Sequence, residues 1–128
     1  MSEPIFAQIA ARLRLYFDGL YYGDSKRLAE IFHPEARYVN TTDPEHPVLA
    51  MPEYFEWVDR RDKPVDRNEP RDDAIVAISL AGPRAAVATV TCTMGARAYT
   101  DQLSLVCLDG TWRIMAKVFH YIPVPQPA

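Results

Sequence analysis

Residues 99–120 read YTDQLSLVCLDGTWRIMAKVFH, two runs rich in aliphatic and aromatic residues on either side of Asp109-Gly110. An Asp-Gly pair between such runs signals a hairpin, because both positions of a two-residue type I′ turn need φ above zero. Placing Leu108 opposite Thr111 pairs Cys107 with Trp112, Leu105 with Ile114, Leu103 with Ala116, Asp101 with Val118 and Tyr99 with His120. Those residues share one face, while Gln102, Ser104, Arg113 and Lys117 take the other. Upstream, Gly95-Ala96 predicts a second tight turn with Met94 opposite Arg97. Cys92, Val90, Ala88 and Ala86 then join the apolar face, and Thr89, Thr91 and Thr93 the polar one. Both hairpins sort apolar from polar with a single choice of face, which a one-residue slip would destroy.

The N-terminal part has a different period. Ile5, Ile9, Leu13, Tyr16, Phe17 and Leu20 recur at steps of three and four, with Gln8, Arg12 and Asp18 opposite. Pro4 suits the first turn, and Gly23 suits the left-handed position that ends a helix. Asp24 can cap a short second helix with an apolar face of Leu28, Ile31 and Phe32, stopped before Pro34. Ala36 to Asn40 reads as a short strand, and Pro52 with Tyr54, Phe55, Trp57 and Val58 as a third, short helix. From Ala74 onward the chain reads as strands, with a further turn signal at Gly82-Pro83. Helices first and a meander after predict an α+β domain rather than a βαβ one.

The eleven prolines support this division. None lies between Ile5 and His33 or between Arg84 and Ile122, where long helices and central strands need every backbone donor. The 128 residues make a single domain, with the core in 5–121 and a proline-rich tail at 122–128. Hydrophobic residues at 48% and charged residues at 24% fit an ordinary folded domain. Fourteen Lys and Arg against seventeen Asp and Glu leave a net charge of −3, the wrong sign for nucleic acid or an anionic membrane as main partner. Met1-Ser2-Glu3-Pro4 has no signal-peptide character, and no apolar run approaches a membrane span, so a cytoplasmic location is expected. Cys92 and Cys107 fall too far apart in the paired strands to bridge and read as inert core thiols.

The covered face is apolar toward the Asp109-Gly110 end but carries Tyr99, Asp101 and His120 at the other. Asp101 lies diagonal to His120, within side-chain reach. A carboxylate beside an imidazole could orient a general base; equally, the pair could be a satisfied buried hydrogen bond. His33 before Pro34 reads as a capping or surface residue. His46, in the acidic loop Thr42 to Pro47, has too few fixed neighbours for a metal site, and neither metal nor cofactor is expected. Asp59 to Asp73 reads as a solvated loop of mixed charge, from which Arg67 and Arg71 could still meet an anion. Tyrosines and tryptophans converge from every element: Tyr16, Tyr21, Tyr22, Tyr38, Tyr54, Trp57, Tyr99 and Trp112. Most must be core, but so many hydroxyls in one layer suit a roomy, partly polar pocket.

The order of these pieces resembles a known superfamily. A long helix ends in Tyr22-Gly23-Asp24, a short one in Phe32-His33-Pro34-Glu35-Ala36, and a third helix lies near Trp57. The closing strands read Asp101-Gln102-Leu103-Ser104-Leu105, Thr111-Trp112-Arg113-Ile114 and Lys117-Val118-Phe119-His120. Over residues 5–121 this is similar to the nuclear-transport-factor-2-like (NTF2-like) superfamily, and specifically its lumazine-binding group. The resemblance implies a cone-shaped half-barrel with a deep pocket and a homodimer through the outer sheet face, where Met115, Phe119 and Tyr121 are expected to point. Its members include isomerases, dehydratases, hydrolases, cyclases and non-catalytic scaffolds, so fold does not choose among them. Against ketosteroid isomerase, the oxyanion tyrosine falls on Tyr16, but the general-base aspartate falls on Asn40, which cannot take a proton.

The expected function is a small-molecule pocket protein acting as a cofactor-free isomerase or lyase on a compact apolar or aromatic substrate. Tyr16, Asp101 and His120 are the expected catalytic residues. Tyr38, Asn40, Tyr54, Trp57, Tyr99, Leu103 and Trp112 are the expected ligand contacts. The alternative is a non-catalytic module that binds a ligand or a protein partner.

Overall fold

The computed structural model describes residues 4–45 and 47–125. Helix α1 (Ile5–Tyr22) and helix α2 (Ser25–Ile31) are followed by strand β1 (Phe32–Asn40), short strand β2 (Val48–Ala50) and helix α3 (Met51–Arg60). A 3-10 turn (Pro64–Arg67) leads into the meander β3 (Ala74–Leu80), β4 (Ala85–Met94), β5 (Arg97–Leu108) and β6 (Thr111–Pro123). The six strands form one curved, open sheet in the order β2-β1-β6-β5-β4-β3. All neighbours are antiparallel except β1 and β6, which run parallel.

The helices cover one face. Ile9, Leu13, Tyr16, Phe17 and Leu20 of α1 are buried, and they pack with Leu28, Ile31, Tyr54 and Val58 against Ala88, Val90, Leu103, Leu105 and Ile114 of the sheet. Gly23 ends α1 at φ 58 and ψ 44, its N–H bonding to Gly19 and Leu20 carbonyls. Asp24 caps α2 by accepting from the Lys26 N–H at 3.0 Å. Gly19 lies so close to α2 that a Cβ there would stand 2.6 Å from Leu28 Cδ2. No helix among the described residues is long and apolar enough to cross a membrane.

Several boundaries differ from the sequence reading. Phe32 opens β1 rather than closing α2, because the residues preceding Pro34 favour extended backbone. Strand β6 runs on to Pro123, which pairs with Arg97, so Ile122 and Pro123 belong to the sheet and not to the tail. Strand β2 and the 3-10 turn carry no strong local periodicity and were not expected.

The consequential difference is a β-bulge. The β4–β5 hairpin has the expected register throughout, from Met94↔Arg97 to Ala86↔Leu105. The β5–β6 hairpin keeps its expected register from Leu108↔Thr111 to Leu105↔Ile114, then shifts by one residue: Ser104 pairs with Ala116, Leu103 with Lys117, Asp101 with Phe119 and Tyr99 with Tyr121. One extra residue, Met115, is accommodated on β6. Since side chains alternate with period two, everything beyond the bulge changes face. Lys117 and Phe119 turn inward and are 3% exposed, while His120 turns out to solvent. Three expectations fall together: Lys117 is not on the outer face, Phe119 and Tyr121 do not point outward, and His120 does not face Asp101.

Candidate functional site

The inward turn of Lys117 creates a charged cluster in the apolar layer. Asp101 is 1% exposed and accepts a hydrogen bond from the Tyr16 hydroxyl at its Oδ2. Lys117 Nζ lies 3.9 Å from the same oxygen and donates to the Tyr54 hydroxyl at 3.3 Å. The ammonium is enclosed by rings, with centroids of Tyr16, Phe119, Tyr54 and Tyr38 at 5.1, 5.2, 5.3 and 5.8 Å. Cation–π attraction to several faces at once compensates part of the hydration the ammonium has lost. Burial works against its charge, but Tyr54, Asp101 and Tyr38 more than offset it, and Lys117 is held above its ordinary range. Burial, and then the adjacent Asp101 carboxylate, hold the Tyr16 phenol well above its ordinary range. The other carboxylate oxygen, Asp101 Oδ1, is buried with no hydrogen-bond partner. An unpaired buried acceptor costs about 1–3 kcal/mol, so its presence here calls for an explanation.

Above the cluster opens a cleft of about 370 Å³, lined by Tyr38, Asn40, Asp43, Trp57, Arg60, Arg61, Arg97, Tyr99, Phe119 and Tyr121. Its volume suits a compact ligand. Phe119 and Tyr38 separate it from Lys117, each presenting one surface to the ammonium and another to the cleft. Burial raises the Tyr38 phenol to about 12 against the pull of Lys117 and Arg61. Asp43 accepts from the Tyr121 hydroxyl at 2.7 Å and from Asn40 Nδ2 at 3.1 Å, and these bonds hold its carboxyl below the usual range. Arg97 stacks 4.3 Å over the Tyr121 ring, and a hydrogen bond with Tyr99 holds its guanidinium above the ordinary range.

Of the expected ligand contacts, Tyr38, Asn40, Trp57 and Tyr99 line this cleft. Tyr54 lies beneath it in the cluster, Leu103 is fully buried in the core, and Trp112 sits at the opposite end of the sheet, paired with Cys107. Asn40 organises its loop, its Oδ1 accepting from the Thr42 and Asp43 N–H groups at 2.9 Å each. Of the expected catalytic residues, Tyr16 and Asp101 are in direct contact. His120 is on the outer face, its Nδ1 2.8 Å from Thr42 Oγ1. His33 is half-buried at the start of β1, with Nδ1 accepting from the Glu35 N–H at 3.0 Å. His46 lies outside the described residues. Both cysteines are free thiols, and burial pushes that of Cys92 up to about 12.

Sequence reasoning missed Lys117, Asp43, Arg61 and Arg97. For Lys117 a signal existed. Trp112 and Ile114 occupy one phase of the strand, Phe119 and Tyr121 the other, and both pairs are too apolar for an outer surface. A change of phase within one strand is the pattern a bulge leaves.

A helix-wrapped, curved, open sheet whose concave face holds an aromatic cleft is the architecture of an NTF2-like domain. The chain belongs to the family described as "Putative lumazine-binding", which matches residues 5–120. It is similar to the aldolase FrzH of Cladobotryum sp, with 27% identity over 125 residues covering 96% of each chain. Among solved structures it is similar to an NTF2-like protein of unknown function from Methylobacillus flagellatus, at 21% identity and TM-score 0.79 over 95% of both chains. One from Silicibacter pomeroyi aligns at 23% identity and TM-score 0.77, over 91% of this chain and 95% of that one. A cystatin-like fold protein from Burkholderia xenovorans aligns at 18% identity and TM-score 0.70, over 93% and 92%.

Proposed function

We propose that this chain binds a compact aromatic carbonyl compound in the cleft and performs cofactor-free proton-transfer chemistry of the isomerase or lyase kind. The observation that carries the reading is Asp101: a buried carboxylate with one oxygen unpaired, beside a buried ammonium and a phenol, and cross-strand partner of Phe119, which lines the open cleft. In that role Asp101 Oδ1 removes a proton from the carbon next to the substrate carbonyl, leaving an enolate and a protonated Asp101. Lys117 and Tyr54 supply the positive charge and hydroxyl that stabilise the enolate oxygen. Return of the proton to another carbon is an isomerisation; attack of the enolate carbon on a second carbonyl, whose oxygen then takes the proton back from Asp101, is an aldol addition, and the reverse is a lyase step. The similarity to a protein named an aldolase supports this class of chemistry. For the substrate to reach Asp101 the rings of Tyr99 and Phe119 must part; Tyr99 is half-buried, whereas Phe119 is 3% exposed.

The test uses deuterium exchange, which needs no knowledge of the natural substrate. In heavy water, the protein should accelerate loss of the α-proton NMR signals of phenylacetone. Asp101→Asn should reduce that acceleration on the order of 10²-fold or more, as loss of a general base does. Tyr16→Phe, which keeps the carboxylate, should reduce it less. Exchange no faster than with the heat-unfolded protein would sink the proposal.

A non-catalytic reading is favoured by a different observation: Tyr16, Tyr54, Asp101 and Lys117 are all at most 3% exposed, so no atom of the cluster reaches the cleft as it stands. On that reading the cleft binds a ligand and the cluster only sets its floor, and Asp101→Asn would alter stability but not exchange. We further infer self-association through the outer sheet face. There Val87, 45% exposed, continues into Ser104 and Ala116, beside the row Thr89, Gln102 and Val118. Light scattering should give twice the 14.5 kDa chain mass, and Val118→Asp should halve it.

A further inference from the structure

Resting on the ligand-binding reading above, the geometry points to a carboxylate on the ligand, and we propose that Arg61 and Arg97 form its subsite at the rim of the cleft. Three neighbouring arginines are already occupied. Arg60 Nη2 pairs with Glu56 at 3.1 Å, and Arg67 Nε with Glu69 at 2.6 Å. Arg71 is held by Asp18 and Asp73 at 2.9 Å each, with its guanidinium 4.8 Å from the Tyr21 ring centre. Arg67 and Arg71, the arginines that the sequence marks for an anion, are thus already satisfied.

Arg61 differs. It follows α3 directly and lines both the 370 Å³ cleft and an adjoining cavity of about 400 Å³, which also share Arg97 and Tyr99. Its Nη2 is buried and has no hydrogen-bond partner. A guanidinium donor withdrawn from water and left unpaired costs more than a neutral one, since hydrogen bonds to charged groups are the stronger class. Its charge also acts unfavourably on Lys117, so two cations lie near each other with Asp101 as the nearby buried anion. Arg97, across the same opening, offers its charge with a fixed orientation because it is stacked on Tyr121. Asp43 is already engaged by Tyr121 and Asn40. With Arg60 paired to Glu56, the lining sets the two guanidinium charges of Arg61 and Arg97 against the single carboxylate of Asp43, a local surplus of positive charge on a chain of net charge −3. A planar carboxylate accepts two parallel bonds from two nitrogens of one guanidinium, and Arg61 lines the opening with Nη2 among its donors still unpaired. Trp57 and Tyr38 flank the position that an attached ring would take.

The probe is benzoate, with benzamide as its uncharged isostere and inorganic phosphate as a second anion, followed by NMR of the Trp57 indole and arginine Nε–H signals. Benzoate should bind saturably, and benzamide at least 10-fold more weakly. Arg61→Gln should weaken benzoate at least 10-fold and Arg97→Gln by a smaller factor. Arg61→Lys, which keeps the charge but loses the fork, should fall between. Arg84→Gln, away from the cleft, should change nothing. If Arg61→Gln disturbs folding, judged by circular dichroism, the Arg61→Lys and Arg97→Gln results decide. Equal binding of benzoate and benzamide, or undiminished binding in these variants, would overturn the carboxylate subsite. So would phosphate displacing benzoate while acetate does not. Benzoate binding through Arg61 without Asp101-dependent exchange of phenylacetone would leave the subsite standing and remove the catalytic reading; the reverse pattern would remove the subsite alone.

Discussion

Taking away the Asp101 carboxylate would leave the Lys117 ammonium buried with its anionic neighbour gone, and the Tyr16 hydroxyl short of a charged acceptor. Breaking a buried pair from one side costs about 3–5 kcal/mol. Asp101→Asn should therefore lower the urea midpoint substantially, and adding Lys117→Met to that variant should recover part of the loss. A double variant no more stable than the single would mean that the two charges are not coupled. His120→Ala, by contrast, should leave both stability and any exchange activity close to wild type, because its ring faces Thr42 on the outer side of the sheet. Gly23 makes a third test. Its φ of 58 is strained for any residue with a Cβ, and a Cβ would stand 2.5 Å from Lys63 Cγ. Lys63 cannot simply move aside, since its Nζ bonds the Gly23 carbonyl at 2.8 Å and the Val58 carbonyl at 3.2 Å. Gly23→Ala should cost about 1–2 kcal/mol from the backbone alone, measured by thermal or urea unfolding.

At the scale of elements, the bulge in β6 determines which side chains the cleft has to work with. Its presence can be checked without a crystal. In the native protein Lys117 should resist acetylation by an amine-reactive reagent under conditions that modify exposed Lys26, and His120 should react with diethyl pyrocarbonate. A regular β5–β6 hairpin would give the opposite result, with Lys117 labelled and His120 protected. The stretch between α3 and β3 is the other element worth testing. It is fastened to the body by Asp72, which accepts from the Thr93 N–H at 2.7 Å and from its hydroxyl at 2.6 Å. Arg71 adds the bridge to Asp18 of α1. A local anchor of this kind supports loop order more than global stability. Asp72→Ala should open the segment to limited proteolysis with little change in melting temperature.

For the whole molecule, the buried phenols and thiol set the alkaline limit of stability. Tyr38 moves from 10.0 in the unfolded chain to about 12 when folded, so above pH 10 the unfolded chain loses its proton first. A raised folded value means stability that is complete below the unfolded value and is lost as pH climbs toward the folded one. For Tyr38 that loss is about 2–3 kcal/mol between pH 10 and 12. Cys92, moved from 9.0 to about 12, and Tyr16, held well above its ordinary range, act in the same direction. Urea midpoints should fall steeply as pH rises from 9 to 11, and Tyr38→Phe should flatten that fall. An unchanged slope would show that Tyr38 titrates as it does in the unfolded chain.

The chain's own order of residues determined most of the architecture. The helical period of Ile5 to Leu20, the glycine at 23 that needs a left-handed φ, the cap at Asp24 and the turn pairs Gly95-Ala96 and Asp109-Gly110 are all local signals. The physics behind each acts over a few residues. They sufficed for the α+β class, for the full β4–β5 register, and for placing Tyr16, Tyr38, Tyr99 and Asp101 on the covered side. What only the tertiary structure decided is the second half of β6. A hairpin turn fixes register near itself, but an extra residue can be absorbed wherever burying Phe119 and Tyr121 outweighs a broken ladder and a buried lysine. That balance depends on Tyr16, Tyr38 and Tyr54, residues far away in sequence, whose rings and hydroxyls make room for the ammonium. The same holds for Arg61: its charge is plain in the sequence, but that its Nη2 is buried without a hydrogen-bond partner follows only from how the chain packs around it.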